Sequence, residues 1–311
     1  MESIDIFNLN SRSSGSDPFS IVPISGKGLG VTATRALARG EIVMIEEPLF
    51  TQTGFRSLES VLSAFSGLSS SEKRNYLLPA NCHPDLHSLQ GIYETNCFPL
   101  GPNSRLQSRH ADRSGVFLLA SRFNSSCRPN VENYWHTKTQ TLRIIAQRDI
   151  RKGEELCIAY SELLAPREAR QAFLRHNFGF DCTCEVCSLQ GDASRRSDER
   201  RVALGKLYED IGFIQNPRRG IKAVQRALDL LREEGLTFNR EGFYYDGFQF
   251  CIAVSDIPNA RKWIERAYRA SVLAIGDGGD RIGWIMQRYI DRPESHPLRG
   301  LLPKTTLCAP R

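Results

Sequence analysis

The stretch DCTCEVC sets cysteines at positions 182, 184 and 187, three thiols within six residues. A closed structural zinc site takes four ligands, so this stretch can form one only if the fold returns a fourth from elsewhere. Six further cysteines are available: Cys82, Cys97, Cys127, Cys157, Cys251 and Cys308. An odd total in a chain of 311 residues does not read as a disulfide framework. It reads as thiols kept reduced inside a cell, free to hold metal. Cys157, in ELCIAY, and Cys251, on an apolar helix face, read as plain core residues. Cys308 falls in what reads as a loose tail, and Cys82 with His83 and His87 matches no common zinc spacing. Cys127 lies in the polar stretch ASRFNSSCRPNV, where Pro129 works against regular structure.

The apolar pattern predicts an α+β fold. FSIVPI, GVTATRAL and EIVMIEEPLF are short β-branched runs separated by the turn signals SGKGLG and ARGE. LRIIAQRDI and ELCIAY read as later strands. Between them, residues 51–115 form an insert with helical signals in LESVLSAF and SEKRNYLL and a loop-rich remainder. PREARQAFLRHNF is a helix with Pro166 near its first turn, and SLQGDASRRSDERR reads as a polar linker. Beyond it, three apolar helix faces are expected. They are Val202, Leu204, Leu207, Tyr208 and Ile211; then Ile221, Val224, Leu228 and Leu231; then Trp263, Ile264, Ala267, Tyr268 and Val272.

Four motifs carry a family resemblance. SGKGLGVTATRALARGE, SRFNSSCRPN, KGEELCIAY and GFDCTCEVC follow one another in the order of the SET-domain protein lysine methyltransferases. They resemble that family's glycine turn, its R-F-x-N-H-S-C-x-P-N signature, its G-E-E-L-x-x-x-Y strand and its post-SET zinc motif. Together they span about residues 20 to 190. The helical remainder is similar to the SET-and-MYND branch without the MYND finger, and TNCFPLG and SHPLRG resemble fungal relatives. The resemblance implies a β-rich SET domain of small twisted sheets over residues 19–165, with the helical insert at 51–115. A post-SET zinc segment at 166–190 and an all-helical TPR-like domain at 198–311 follow, and residues 1–18 are expected to be disordered.

The resemblance also implies chemistry. S-adenosylmethionine would be the methyl donor and a protein lysine, on a histone or another protein, the acceptor. Lys27, Gly28 and Leu29 would line the cofactor, Asn124 and Ser125 would hold it, Asn96 would reach its ribose and Phe180 would pack on its adenine. Tyr160 maps onto the catalytic tyrosine. Cys127 becomes the fourth zinc ligand beside Cys182, Cys184 and Cys187. Glu154 and Glu155 read as turn and strand-start residues, Asn130 as a turn-former tying its segment to neighbouring backbone, and Arg122 as a partner for a carboxylate.

Ser125 departs from the pattern, because the family has histidine there. That departure predicts weaker cofactor binding and leaves a second reading, a SET-fold scaffold whose helices bind a protein partner. The net charge of +6 is too small to imply nucleic acid. No apolar run reaches the roughly 20 residues of a membrane span. The chain is expected to be an intracellular monomer, nuclear or cytoplasmic.

Overall fold

A computed structural model describes residues 17–53, 56–101, 112–237, 239–276 and 281–311. The stretch expected to be disordered, 1–18, therefore lies almost wholly outside the described residues. Two compact units result. One runs through Glu162 and takes in Glu168–Cys184; the other consists of Leu163–Arg167 and Glu185–Arg311.

Among the described residues the first unit holds ten strands in three small sheets. β1 (Phe19–Ile24) and β2 (Gly28–Ala33) form a hairpin, and β2 is followed across the sheet by β10 (Glu155–Ile158) and β7 (Asn124–Ser125). β3 (Ile42–Glu46), β9 (Thr141–Ala146) and β8 (Val131–His136) form the second sheet. Alternation drives the packing: Phe19 and Ile21 of β1 point inward, while Ile45 stays 56% exposed. Val31, Leu142, Ile144 and Leu156 are fully buried and close one core.

The insert contains more than helices. β4 (Phe50–Thr53), β6 (Arg113–Val116) and β5 (Cys97–Pro99) make the third sheet in that order. α1 (Leu58–Ser66) and α2 (Ser70–Tyr76) fall where the sequence predicts them, the second opened by a capping box of Ser69 and Glu72. α3 (Ser88–Asn96) sits in a stretch that reads as loop. Its buried side includes Gly91 and Asn96 beside Leu89, Ile92 and Tyr93, so hydropathy alone gives it a weak signature. Tyr76 fixes it by donating its hydroxyl to the Leu89 carbonyl at 2.7 Å. After the sheets comes α4 (Arg167–Phe178).

The second unit is helical: α5 (Gly191–Asp210), α6 (Pro217–Glu234), α7 (Arg240–Ala253), α8 (Ile257–Ile275) and α9 (Arg281–Asp291). Its core gathers Leu204, Val224, Leu231, Phe248, Trp263 and Ile264. Three expectations are corrected here. SLQGDASRRSDERR is not a linker, because α5 begins at Gly191. Three of its polar residues turn inward to Glu234 of α6: Arg201 and Glu234 are both fully buried and paired at 2.9 Å, and Ser197 and Arg200 also bond Glu234. Leu204 and Ile211 face the core as expected, whereas Val202 and Tyr208 are 51% and 43% exposed. Nor is the tail of Cys308 loose. The Cys308 carbonyl accepts from the Trp263 indole at 2.9 Å, and Leu307 N–H donates to the Asp256 carboxylate at 2.7 Å. Among the described residues no helix is long and apolar enough to cross a membrane.

Candidate active site

Proline at 129 prevents the segment after β7 from continuing as a strand, and Asn130 turns it back around β10. The Asn130 carboxamide accepts from Cys157 N–H at 2.8 Å and donates to the Glu155 carbonyl at 2.8 Å. Its expected role of tying the segment to backbone is what the geometry displays. β7 and β10 pair in parallel, Cys157 beside Asn124 and Ile158 beside Ser125.

This pairing brings Asn124 to the β2 edge. Glu155 holds it there: one carboxylate oxygen accepts from Asn124 Nδ2 at 2.9 Å and the other from Lys27 Nζ at 2.6 Å. Glu155 is thus more than a strand-start residue, and sequence reasoning missed it because its partners lie 128 and 31 positions away. Asn124 Nδ2 also approaches the Leu29 carbonyl at 3.3 Å. Gly30 makes room, since a Cβ there would lie 2.6 Å from Asn124 Nδ2. Gly28 has φ of +75°, which favours glycine, and faces open space. Partial burial alone would lower the Lys27 pKa, but the bond to Glu155 and the neighbouring Cys157 outweigh it and the pKa is raised.

Tyr160 lies two residues past β10. Its hydroxyl donates to the Phe123 carbonyl at 2.7 Å and its N–H to Ser125 Oγ at 3.3 Å. Its ring centroid is 4.7 Å from that of Phe178. Burial, reinforced by nearby Cys157, pushes the phenol well above its ordinary pKa, so at neutral pH it is an uncharged hydrogen-bonding group.

Tyr160 also lines a cavity of about 100 Å³ with Phe98, Ile158, Phe173 and Phe178. Asn96 and Asn133 are in its wall, as are Arg56 and Glu94, which pair at 3.4 Å. Lys27, Gly28, Leu29, Asn124, Ser125 and Phe180 are outside that lining. Asn96 is therefore grouped with Tyr160 rather than with the Lys27–Glu155–Asn124 constellation. Both its donors are spent, on the Ala80 and Ile92 carbonyls at 2.8 Å, leaving Oδ1 for a ligand. Phe180 is half-buried.

The four cysteines do converge. The sulfurs of Cys127, Cys182, Cys184 and Cys187 all lie within 4.8 Å of one another, three of the residues buried. Tetrahedral thiolate ligation with bonds near ~2.3 Å puts sulfurs about 3.8 Å apart, so this group could hold a metal ion. Gln171 of α4 clasps the loop, accepting from Cys182 N–H and donating to its carbonyl, each at 2.8 Å. Cys82, His83 and His87 form no such group among the described residues. Arg122 is buried near Glu46, but that carboxylate accepts from Leu119 and Ala120 N–H.

Residues 28–161 match the SET domain family. Over 297 residues, 93% of this chain and 88% of the relative, the sequence is 29% identical to a Schizosaccharomyces pombe protein named histone-lysine N-methyltransferase set5. It is 38% identical over 118 residues to the potential protein lysine methyltransferase SET6 of Saccharomyces cerevisiae, covering 36% of this chain and 31% of that protein. It is 36% identical over 86 residues to the mouse protein-lysine N-trimethyltransferase SMYD5, covering 27% of this chain and 21% of that protein. The chain thus spans most of the fission yeast relative but less than a third of the other two. It carries a SET domain over residues 28–161 and resembles the SET5 and SMYD5 protein-lysine methyltransferases.

Proposed function

We propose that this chain is an S-adenosylmethionine-dependent protein-lysine N-methyltransferase with Tyr160 as its catalytic residue. The observation that carries the reading is the station of Tyr160, hydrogen-bonded to Phe123 and Ser125 and facing an aromatic cavity. The cofactor would lie against β2 and β7. The donor set there suits the amino-acid end of the molecule, with Lys27 for its carboxylate and Asn124 and Glu155 for its ammonium. The open face at Gly28 leaves room for close approach. Ser125 supports activity despite replacing histidine, because it keeps its place in the β7–β10 pairing and its Oγ holds Tyr160 N–H.

A free lysine, with pKa near ~10.4, is almost all ammonium at neutral pH and has no lone pair to give. Phe98, Ile158, Phe173 and Phe178 make the cavity poor at solvating charge, which favours the neutral amine. The Tyr160 hydroxyl spends its hydrogen on Phe123, so its oxygen is left to accept from an amine N–H and aim the lone pair. Bound there, S-adenosylmethionine would supply an electrophilic methyl group whose carbon–sulfur bonding pair leaves with sulfur, and the methylated nitrogen would shed one proton to water.

Zinc is the metal proposed for Cys127, Cys182, Cys184 and Cys187, since four thiolates in a closed cluster suit a structural zinc ion. Keeping those thiols reduced fits the nucleus or cytoplasm. The experiment incubates the full chain and S-adenosylmethionine with an array of lysine peptides, including histone tails, and reads methyl-lysine by mass spectrometry. Methylation that disappears in Tyr160→Phe supports the proposal. No methylation by zinc-loaded protein that binds the cofactor overturns it.

A further inference from the structure

Two helices of the second unit repeat a pattern. GIKAVQRAL of α6 (220–228) and ARKWIERAY of α8 (260–268) stand forty positions apart. Val224 and Ala227, like Ile264 and Ala267, are fully buried in one core. Lys222 and Arg226, like Lys262 and Arg266, are exposed. α7 packs against both helices, and equivalent positions in stacked helical hairpins recur across the surface of the stack. The same basic pair, at i and i+4, is therefore set twice on the side away from the core. Arg219 stands three residues before the first pair and Arg269 three after the second, each exposed on the same helix face.

Some exposed arginines of this unit are answered in place. Arg195 of α5 pairs with Asp192 and Glu199, and Arg232 of α6 with Asp229. Arg226 meets Glu233 at 3.3 Å, but both side chains are about half exposed and such a pair opens at little cost. Among the described residues Arg219, Lys222, Lys262, Arg266 and Arg269 have no carboxylate partner. Glu265, the only acidic residue of α8, pairs with none of them.

The chemistry of this face selects its occupant. A protein partner would take its affinity from a large apolar or aromatic anchor, and a single nucleic-acid strand from aromatic platforms that stack its bases. Neither α6 nor α8 exposes a large apolar side chain. Both present long cationic side chains at a fixed repeat, which suits the regular, rigid charge of a duplex. Arginine adds forked donors that match phosphate oxygens. We propose that the outward faces of α6 and α8 bind the phosphate backbone of a duplex nucleic acid without reading its sequence. The whole-chain charge of +6 averages this arrangement away.

The test is fluorescence anisotropy of the full chain with labelled duplex DNA and duplex RNA of one mixed sequence, over a salt series. Affinity should fall steeply with salt, with a log–log slope of about −4 for roughly five phosphate contacts. Lys222→Gln with Arg226→Gln, and separately Lys262→Gln with Arg266→Gln, should each raise Kd about tenfold and make the slope shallower by about 2. Arg195→Gln with Arg232→Gln removes the same charge from paired sites and should change Kd less than about twofold. All these sites are exposed, so the melting temperature should hold in every variant. Binding of either duplex with this pattern supports the proposal, and the ratio of the two affinities tells which backbone is preferred. Absence of binding at low salt overturns it, as does binding that survives both double substitutions or falls equally in the control. Tighter binding of poly-glutamate than of either duplex also overturns it, by making the partner an acidic protein.

Discussion

The Tyr160 hydroxyl donates to the main-chain oxygen of Phe123 across 2.7 Å, and this bond fixes the phenol where the aromatic wall begins. Removing only that oxygen should leave the ring packed against Phe178. Tyr160→Phe is expected to lower kcat by about 100-fold, a loss typical of one preorganised hydrogen-bonding group, while cofactor Kd changes less than about twofold. Calorimetry and steady-state methylation on the same preparation check both halves.

Glu155 holds Lys27 and Asn124 through separate oxygens. Glu155→Gln keeps the shape but removes the charge that makes the Lys27 bond strong. The expected result is an S-adenosylmethionine Kd raised about tenfold, with kcat at saturating cofactor nearly unchanged. Equal losses in both would place Glu155 in the chemistry instead.

Cys127 and Cys157 are both buried, but only Cys127 stands with the sulfurs of Cys182, Cys184 and Cys187. Elemental analysis should find stoichiometric zinc in wild type and Cys157→Ser, and little in Cys127→Ser. Chelation should lower the melting temperature of wild type, because metal bound only by the folded chain stabilises it. Zinc retained in full by Cys127→Ser would refute the assignment.

Glu234, fully buried, is the shared acceptor for Arg200, Arg201 and Ser197. Glu234→Ala leaves the buried Arg201 charge uncompensated, which typically costs ~3–5 kcal/mol. Glu234→Ala combined with Arg201→Met should recover part of that loss. Urea unfolding of the two variants measures the difference.

Asp246 on α7 sits in a desolvated position that raises its pKa from 3.8 to about 6. The native state binds that proton more tightly than the unfolded chain, so the associated stability is complete below about pH 4 and is lost as pH rises through about 6. Asp246→Asn has no charge to bury. Its stability relative to wild type should rise between pH 4.5 and 7.5 by ~1–3 kcal/mol. Burial lowers the pKa of His296, whose stability contribution instead falls away as pH drops below 6.5. It is present in both proteins and cancels from the comparison.

The strands of the first unit and the apolar faces around Val224 and Trp263 were legible because period-2 and period-3.6 alternation are local properties. The motifs around Lys27, Asn124, Cys127 and Tyr160 were legible for a different reason, since their chemistry restricts residue type at fixed spacing. What alternation could not convey was α3, whose buried side carries Gly91 and Asn96, and α5, whose Arg201 looks solvated until Glu234 pairs with it in the interior. Glu155 was equally silent. A carboxylate in a strand start has no meaning until β10 lies beside β2 and β7. Local sequence therefore determined which elements form and which residue types could do chemistry. Only tertiary structure decided which of them meet, because hydrogen bonds and burial depend on neighbours that the chain supplies from far away.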